Sequence, residues 1–243
     1  MSPIIDGYCT LGVDRETQLT PAKLLEQMND AGIAQAVIVP VDREIVIDNQ
    51  TGNQRINALA SISQGRFIAA CSINPWCSDG CDLLNEAVTG GARMLVLAPA
   101  LQGFIPTDEL TDPLLKRAGK LNLPVYFHTG PHSAGGPTQV VLLAEQYPNT
   151  TFILGHCGTT DHAWDMRAIF DHHQLDNLWY ESSFVRPTQI HTYPTERMIF
   201  GTASPRNNQV FELQHCEHVL PVDQHPQFYG GNLTALIEQV NDV

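Results

Sequence analysis

Short apolar runs, most closed by Gly, His or Pro, punctuate the chain: PIIDGY, AQAVIVP, RFIAACSI, ARMLVLAP, LPVYFH, TFILGH, NLWYESS and RMIFGT. Between them lie longer segments of helical period: PAKLLEQMNDAG, TGNQRINALASISQG, DGCDLLNEAVTGG, DELTDPLLKRAGKLN, GPTQVVLLAEQYP and TDHAWDMRAIFDHHQ. Several open on a capping residue or stop at Gly. This alternation predicts a parallel sheet with right-handed crossovers. Strand starts near residues 4, 36, 67, 93, 124, 152, 178 and 198 give most units the roughly 30 residues of a βαβ element. The seventh unit is cramped, because FVRPTQIHTYPTE has room only for a short helix over PTQIHTY. NNQVFELQHCEHVL and NLTALIEQVNDV then supply helical pattern to complete an outer ring.

A chain of 243 residues matches the roughly 250 typical of a (β/α)8 TIM barrel, here expected to be distorted around the seventh unit. No linker, low-complexity tract or further sequence repeat divides it, so residues 1–243 are read as one domain. An open doubly wound sheet would also alternate strands and helices, but neither G-x-G-x-x-G nor G-x-x-x-x-G-K-[ST] occurs. G-x-S-x-G and H-E-x-x-H are missing too, which removes the commonest serine hydrolase and zinc protease readings.

Charge narrows the partners. Thirteen Lys and Arg against 26 Asp and Glu leave a formal charge of −13, which excludes nucleic acid and anionic membranes, since both need a basic face. No window carries the ~20 consecutive apolar residues of a membrane helix, and the strand-like opening MSPIID has no basic and apolar leader. A soluble, cytoplasmic protein is expected. The six cysteines are spread through a large acidic chain and are read as reduced thiols.

The chemistry gathers at strand ends. His128 and His156 close the fifth and sixth strands, and a closed barrel would bring both to one mouth, where imidazole serves as base or metal ligand. A lone strand-end His is as often structural; two on neighbouring strands favour a pocket. Period-two alternation places Asp6, Tyr8 and Thr10 on one face of the first strand. Tyr8 either donates a hydrogen bond to a ligand or simply fills volume, and Thr10 adds a polar contact. His132, Glu181, Arg186 and Arg206 are further candidates for substrate binding, the arginines as carboxylate clamps against a default of surface solvation. Asp161 reads as the N-cap of the sixth helix, and Cys157, adjacent to His156 on a strand, points away from it. Cys77 with Cys81, and His215 with Cys216 and His218, lack the spacing of a built metal site.

The segments IIDGYCTLG, LLKRAGKLNLPVYFHTG, YPNTTFILGHCGTTDHAWD, NLWYESS, RMIFGTASP and YGGNLTALIE together resemble the amidohydrolase-related barrels. That branch includes aminocarboxymuconate semialdehyde decarboxylase and metal-free pyrone lactonases. The resemblance implies a divalent metal such as zinc, held by two histidines of the first strand and the strand-five histidine. It also implies a strand-six histidine acting on water, and an aspartate after strand eight as ligand or base. In this chain Tyr8 and Thr10 stand at the first two positions, Ala203 at the last, and only His128 and His156 remain. A catalytic zinc takes three protein ligands, so no cofactor is expected; any metal would fall to His128 and His156. Two functions stay open. One is a hydrolase, or related lyase or decarboxylase, acting on a small carboxylated ring, lactone or amide, with His156 as base, His128 as electrophilic donor and Tyr8 as oxyanion partner. The other is a non-catalytic pseudoenzyme barrel that binds a small molecule or a partner protein. The resemblance also implies a homodimer.

Overall fold

The computed structural model describes residues 3–130, 135–158, 169, 175–185, 187–190 and 193–241. Among them, parallel strands follow one another around a ring: β1 (Ile5–Thr10), β2 (Gln35–Val39), β3 in two pieces (Phe67–Ala69 and Cys71–Ser72), β4 (Leu95–Leu97), β5 (Val125–His128), β6 (Phe152–Gly155), β7 (Leu178–Glu181) and β8 (Met198–Ile199). Each pairs in parallel with the next. The pieces of β3 are continuous, since Ala70 N–H donates to Ile38 O and Cys71 N–H to Met94 O. The ring closes where Gly7 N–H donates to Phe200 O and Thr10 N–H to Ser204 O, both at 2.8 Å. The predicted barrel and all its strands are present.

Alternation along these strands builds two cores. Val37, Val39, Val96, Tyr126, Ile153 and Ile199 fill the barrel interior together with Tyr8. Their neighbours Ile38, Leu95, Leu97, Phe127 and Leu154 face outward onto helices through Leu24, Met28, Leu84, Leu115 and Leu143. Each such burial stabilises by roughly 1.5–3 kcal/mol relative to exposure. The first helix shows how local sequence sets the boundaries. Thr20 caps Pro21–Ala31 by accepting from Lys23 N–H, Pro21 presets the first turn, and Gly32 ends it at φ 70°. The predicted helices over residues 49–62, 80–89, 112–120, 137–146, 209–219 and 232–237 are present. Apart from Ile169, the segment proposed as the sixth helix, with Asp161, lies outside the described residues. In the cramped seventh unit the helix is indeed short, Pro187–Ile190. No helix among the described residues is long and apolar enough to cross a membrane.

Three features escaped the sequence reading. A two-residue hairpin, Gly12–Val13 with Gln18–Leu19, follows β1. Short helices Asp42–Val46 and Pro99–Gln102 follow β2 and β4. Buried Gln102 ties these loops together: its amide donates to Ile45 O and Ile73 O and accepts from Ala98 N–H. The wall of the mouth over β2 to β4 is thereby fixed.

Candidate active site

The first strand corrects the alternation argument. Three residues of β1, from Asp6 to Cys9, advance against two of β2, from Ala36 to Ile38, so a bulge interrupts the period between them. Gly7 occupies it because a Cβ there would strike Phe200 O. Past the bulge Tyr8 turns into the barrel. Asp6 stays on the opposite side with Cys9, where its carboxylate accepts from Cys9 Sγ, Thr202 N–H and Oγ1, and Gln209 Nε2. Burial leaves the Asp6 carboxyl above its usual range, and these donors offset only part of the rise. Asp6 therefore joins β1 to β8 and does not share the face of Tyr8.

Inside the mouth the two predicted imidazoles meet. His128 Nδ1 lies 3.3 Å from His156 Nε2 and 3.4 Å from Tyr8 Oη. The histidine rings stand edge to face at 4.3 Å, Tyr8 stacks on Tyr126 at 4.7 Å, and Phe184 meets His156 edge-on at 5.1 Å. Burial, with His156 and Arg206 nearby, drives the His128 imidazole well below its usual range, so it is neutral near pH 7. Burial and the Asp42 charge push the Tyr8 phenol up, so it keeps its proton. Thr10 lies beside it, its hydroxyl opposing that rise.

Glu181 lies deeper than a substrate-binding residue at the mouth would. It is fully buried and its carboxylate is consumed internally. Tyr126 Oη, Ser183 Oγ and His156 N–H donate to Oε2 at 2.8, 2.8 and 2.9 Å, and Ser183 N–H donates to Oε1 at 2.7 Å. Burial pushes this carboxyl up, but His156 and these donors bring the net result below the usual range. Two glycines make the space: a Cβ at Gly201 would collide with the Glu181 carboxylate, and one at Gly155 with the Tyr126 ring. Ser183 in turn holds His156, with Oγ 2.5 Å from Nδ1.

The backbone around this hub is strained. His156 and Cys157 adopt φ of 60° and 44°, Phe184 63° and Ala203 56°, all at the ends of β6, β7 and β8. Such conformations cost on the order of 1–3 kcal/mol each and persist where surrounding contacts over-determine them. His156 and Cys157 are thus turn residues rather than alternating strand residues. The Cys157 thiol is buried, donates to Glu181 O at 3.0 Å, and is raised well above its usual range by burial and by Glu181.

Arg206 stands at the rim, half-exposed, with Nη2 3.6 Å from Asp42 Oδ2. Burial raises the Asp42 carboxyl and Arg206 opposes the shift. The other two predicted binding residues, His132 and Arg186, lie outside the described residues. Asp42, Ser183, Phe184 and Tyr126 were missed. Only Tyr126, two residues before His128 on the inward face, carried a signal that period-two counting could have found.

The profile of the amidohydrolase family Amidohydro_2 matches residues 15–232. The chain belongs to that family. A comparison with curated protein sequences finds no match. Among solved structures, an uncharacterized TIM-barrel protein, Bb4693 from Bordetella bronchiseptica, superposes with a TM-score of 0.76 at 20% identity over 90% of this chain and 83% of that one. The 5-carboxyvanillate decarboxylase of Sphingomonas paucimobilis gives 0.74 at 13% over 98% and 99%. A dihydroxybenzoic acid decarboxylase from Polaromonas sp. JS666, with bound manganese and the inhibitor 2-nitroresorcinol, gives 0.74 at 15% over 98% and 97%. These likenesses establish the fold of this family member.

The described residues of this mouth do not complete the ligand set of a divalent ion like that manganese. His128 and His156 are close enough to share one cation, but a catalytic zinc takes three protein ligands. Among the described residues no third ligand joins them: Tyr8 holds its proton, Glu181 is engaged by its donors, Asp6 faces away and Ala203 has no donor atom. Among the described residues no three His, Cys, Asp or Glu side chains are grouped so as to hold a metal ion.

Proposed function

We propose that this amidohydrolase-family member hydrolyses a small carboxylated ring compound, a lactone or cyclic amide, by proton transfer without a divalent ion. The observation that carries the reading is the convergence of His128 on both His156 and Tyr8, at 3.3 and 3.4 Å, under a rim bearing Arg206. Arg206 binds the substrate carboxylate, a role its planar guanidinium suits. His156 takes a proton from water as the oxygen attacks the carbonyl carbon. The negative charge that develops on the carbonyl oxygen is received by the Tyr8 hydroxyl, with neutral His128 as the electrophilic donor. The proton on His156 then passes to the leaving oxygen or nitrogen as the ring bond breaks. Thr10 steadies Tyr8 through its hydroxyl. His132 and Arg186 belong to the same reading as further substrate contacts.

Decarboxylation of an aromatic acid is the neighbouring chemistry, since it is what two of the similar structures are named for. A second reading, ligand binding without turnover, is favoured by the end of β8, where strained Ala203 offers no acid or base. A screen of lactones, cyclic amides and aromatic carboxylates, with His156→Ala as control, separates the three. Ring opening that is abolished by the substitution supports the proposal. Carbon dioxide release instead would move the chemistry to the decarboxylases, and saturable binding with no turnover would favour the second reading.

A further inference from the structure

We propose that Glu181 and Ser183 form a buried relay that fixes His156 as the Nδ1–H tautomer, leaving Nε2 bare toward the mouth and making both residues positioning residues. The assignment follows from counting protons. Each Glu181 oxygen faces a backbone N–H that can only donate, from His156 to Oε2 and from Ser183 to Oε1. Tyr126 adds its hydroxyl proton to Oε2. The carboxylate therefore acts as an acceptor throughout.

Ser183 has one hydroxyl proton and two close partners, Glu181 Oε2 at 2.8 Å and His156 Nδ1 at 2.5 Å. If that proton pointed to Nδ1, the serine oxygen would oppose the carboxylate with no hydrogen between them, and both would repel. Directed at Glu181, it leaves a serine lone pair for an Nδ1–H. The 3.4 Å separation of His156 Nδ1 from Glu181 Oε2 points the same way, because a bare nitrogen there would face the carboxylate lone pairs. The fork is anchored by main chain on both sides: the His156 and Ser183 amides grip the same carboxylate whose side-chain bond orients Ser183.

The count continues outward. With Nε2 bare, the 3.3 Å contact between the imidazoles requires the proton on His128 Nδ1. Tyr8 Oη, 3.4 Å from that same nitrogen, shares this one proton as the longer of two acceptors, and its own proton is released to a ligand. One chain of bonds thus prepares a proton donor at Tyr8 and, once a ligand draws the His128 N–H to itself, a proton acceptor at His156 Nε2. The relay has its chemical meaning from the proposed role of His156 as base, but the tautomer is measurable whether or not a substrate is known.

The test is long-range 1H–15N correlation of the histidine rings in 15N-labelled protein at pH 7.5, with the His156 pattern assigned by its loss in His156→Gln. The expected pattern is a protonated Nδ1 and unprotonated Nε2 on His156. In Ser183→Ala that preference is lost and Nε2–H signal grows, whereas Ser183→Thr, which keeps the hydroxyl, retains it. Nε2–H on His156 in the unsubstituted protein would overturn the proposal, as would an unchanged pattern in Ser183→Ala. Because no substrate enters the measurement, its failure is distinguishable from failure of the hydrolase reading.

Discussion

The rings of His128 and His156 stand edge to face, with Nδ1 of the first 3.3 Å from Nε2 of the second. They reach this arrangement from adjacent strands by different routes, His128 as the last residue of β5 and His156 as the first of a left-handed turn after β6. Glu181, 3.4 Å from His156 Nδ1, is already engaged by its own donors. The pair behaves as a hydrogen-bonded unit, with Tyr8 on one side and the Glu181 hub behind it.

Removing the Tyr8 hydroxyl separates chemistry from packing. In Tyr8→Phe the stack on Tyr126 remains and the hydroxyl's contacts, to His128 and to neighbouring Thr10, are lost. Thermal unfolding should show a change within about 1 kcal/mol, the net worth of one hydrogen bond. Turnover of the substrate found by screening should fall about 100-fold, as for loss of one oxyanion donor. A large loss of stability with unchanged turnover would mean that Tyr8 only fills space.

The glycines that house the hub should resist substitution. Gly201→Ala drives a methyl group into the Glu181 carboxylate, and Gly155→Ala drives one into Tyr126. Both sites are buried against fixed groups, so each substitution should destabilise by about 1–3 kcal/mol in urea unfolding. Equal midpoints for variant and parent would show that the hub relaxes freely.

Eight strands were legible because each is a short apolar run with a clear stop, and two carried the site histidines on their final or next residue. Tyr8 turns inward only because a bulge shifts it off the face of Asp6, which no period-two count could reveal. The true depth of Glu181 depends on Tyr126 and Ser183 closing over it, and on Gly155 and Gly201 yielding room. These are contacts between strands, invisible within any one segment. Asp42 was missed for a similar reason, since it opens a five-residue helix after β2 and meets Arg206, which follows β8, across the end of β1.

Arg206 should distinguish ligands by charge. Arg206→Gln is expected to weaken binding of a carboxylated ligand by about 10- to 100-fold, the loss of a charge-assisted hydrogen bond of roughly 1.5–3 kcal/mol, and to leave its methyl ester unaffected. Calorimetric titration of both ligands checks this. Equal losses for acid and ester would assign Arg206 a structural role.

Behind the barrel wall, Glu212 should make the stability of the fold depend on pH. Burial, with Glu181 and Asp6 nearby, pushes its carboxyl from 4.5 up to about 7. A folded-state value above that of the unfolded chain means the folded state holds the proton more tightly. Its contribution is therefore full below pH 4.5 and is lost as pH rises through about 7. Glu212→Gln should be more stable than the parent at pH 8, on the order of 1 kcal/mol after solvent screening, and close to it at pH 4.5. Urea midpoints at the two pH values decide; a constant difference would contradict the assignment.

The central claim is that this family member's mouth works through proton-bearing side chains rather than a bound cation. Protein purified without a histidine tag, equilibrated with excess manganese and freed of unbound ion by gel filtration, can be assayed by elemental analysis. Well under one equivalent of manganese per chain is the expected result. One full equivalent that disappears in His128→Ala would contradict the account.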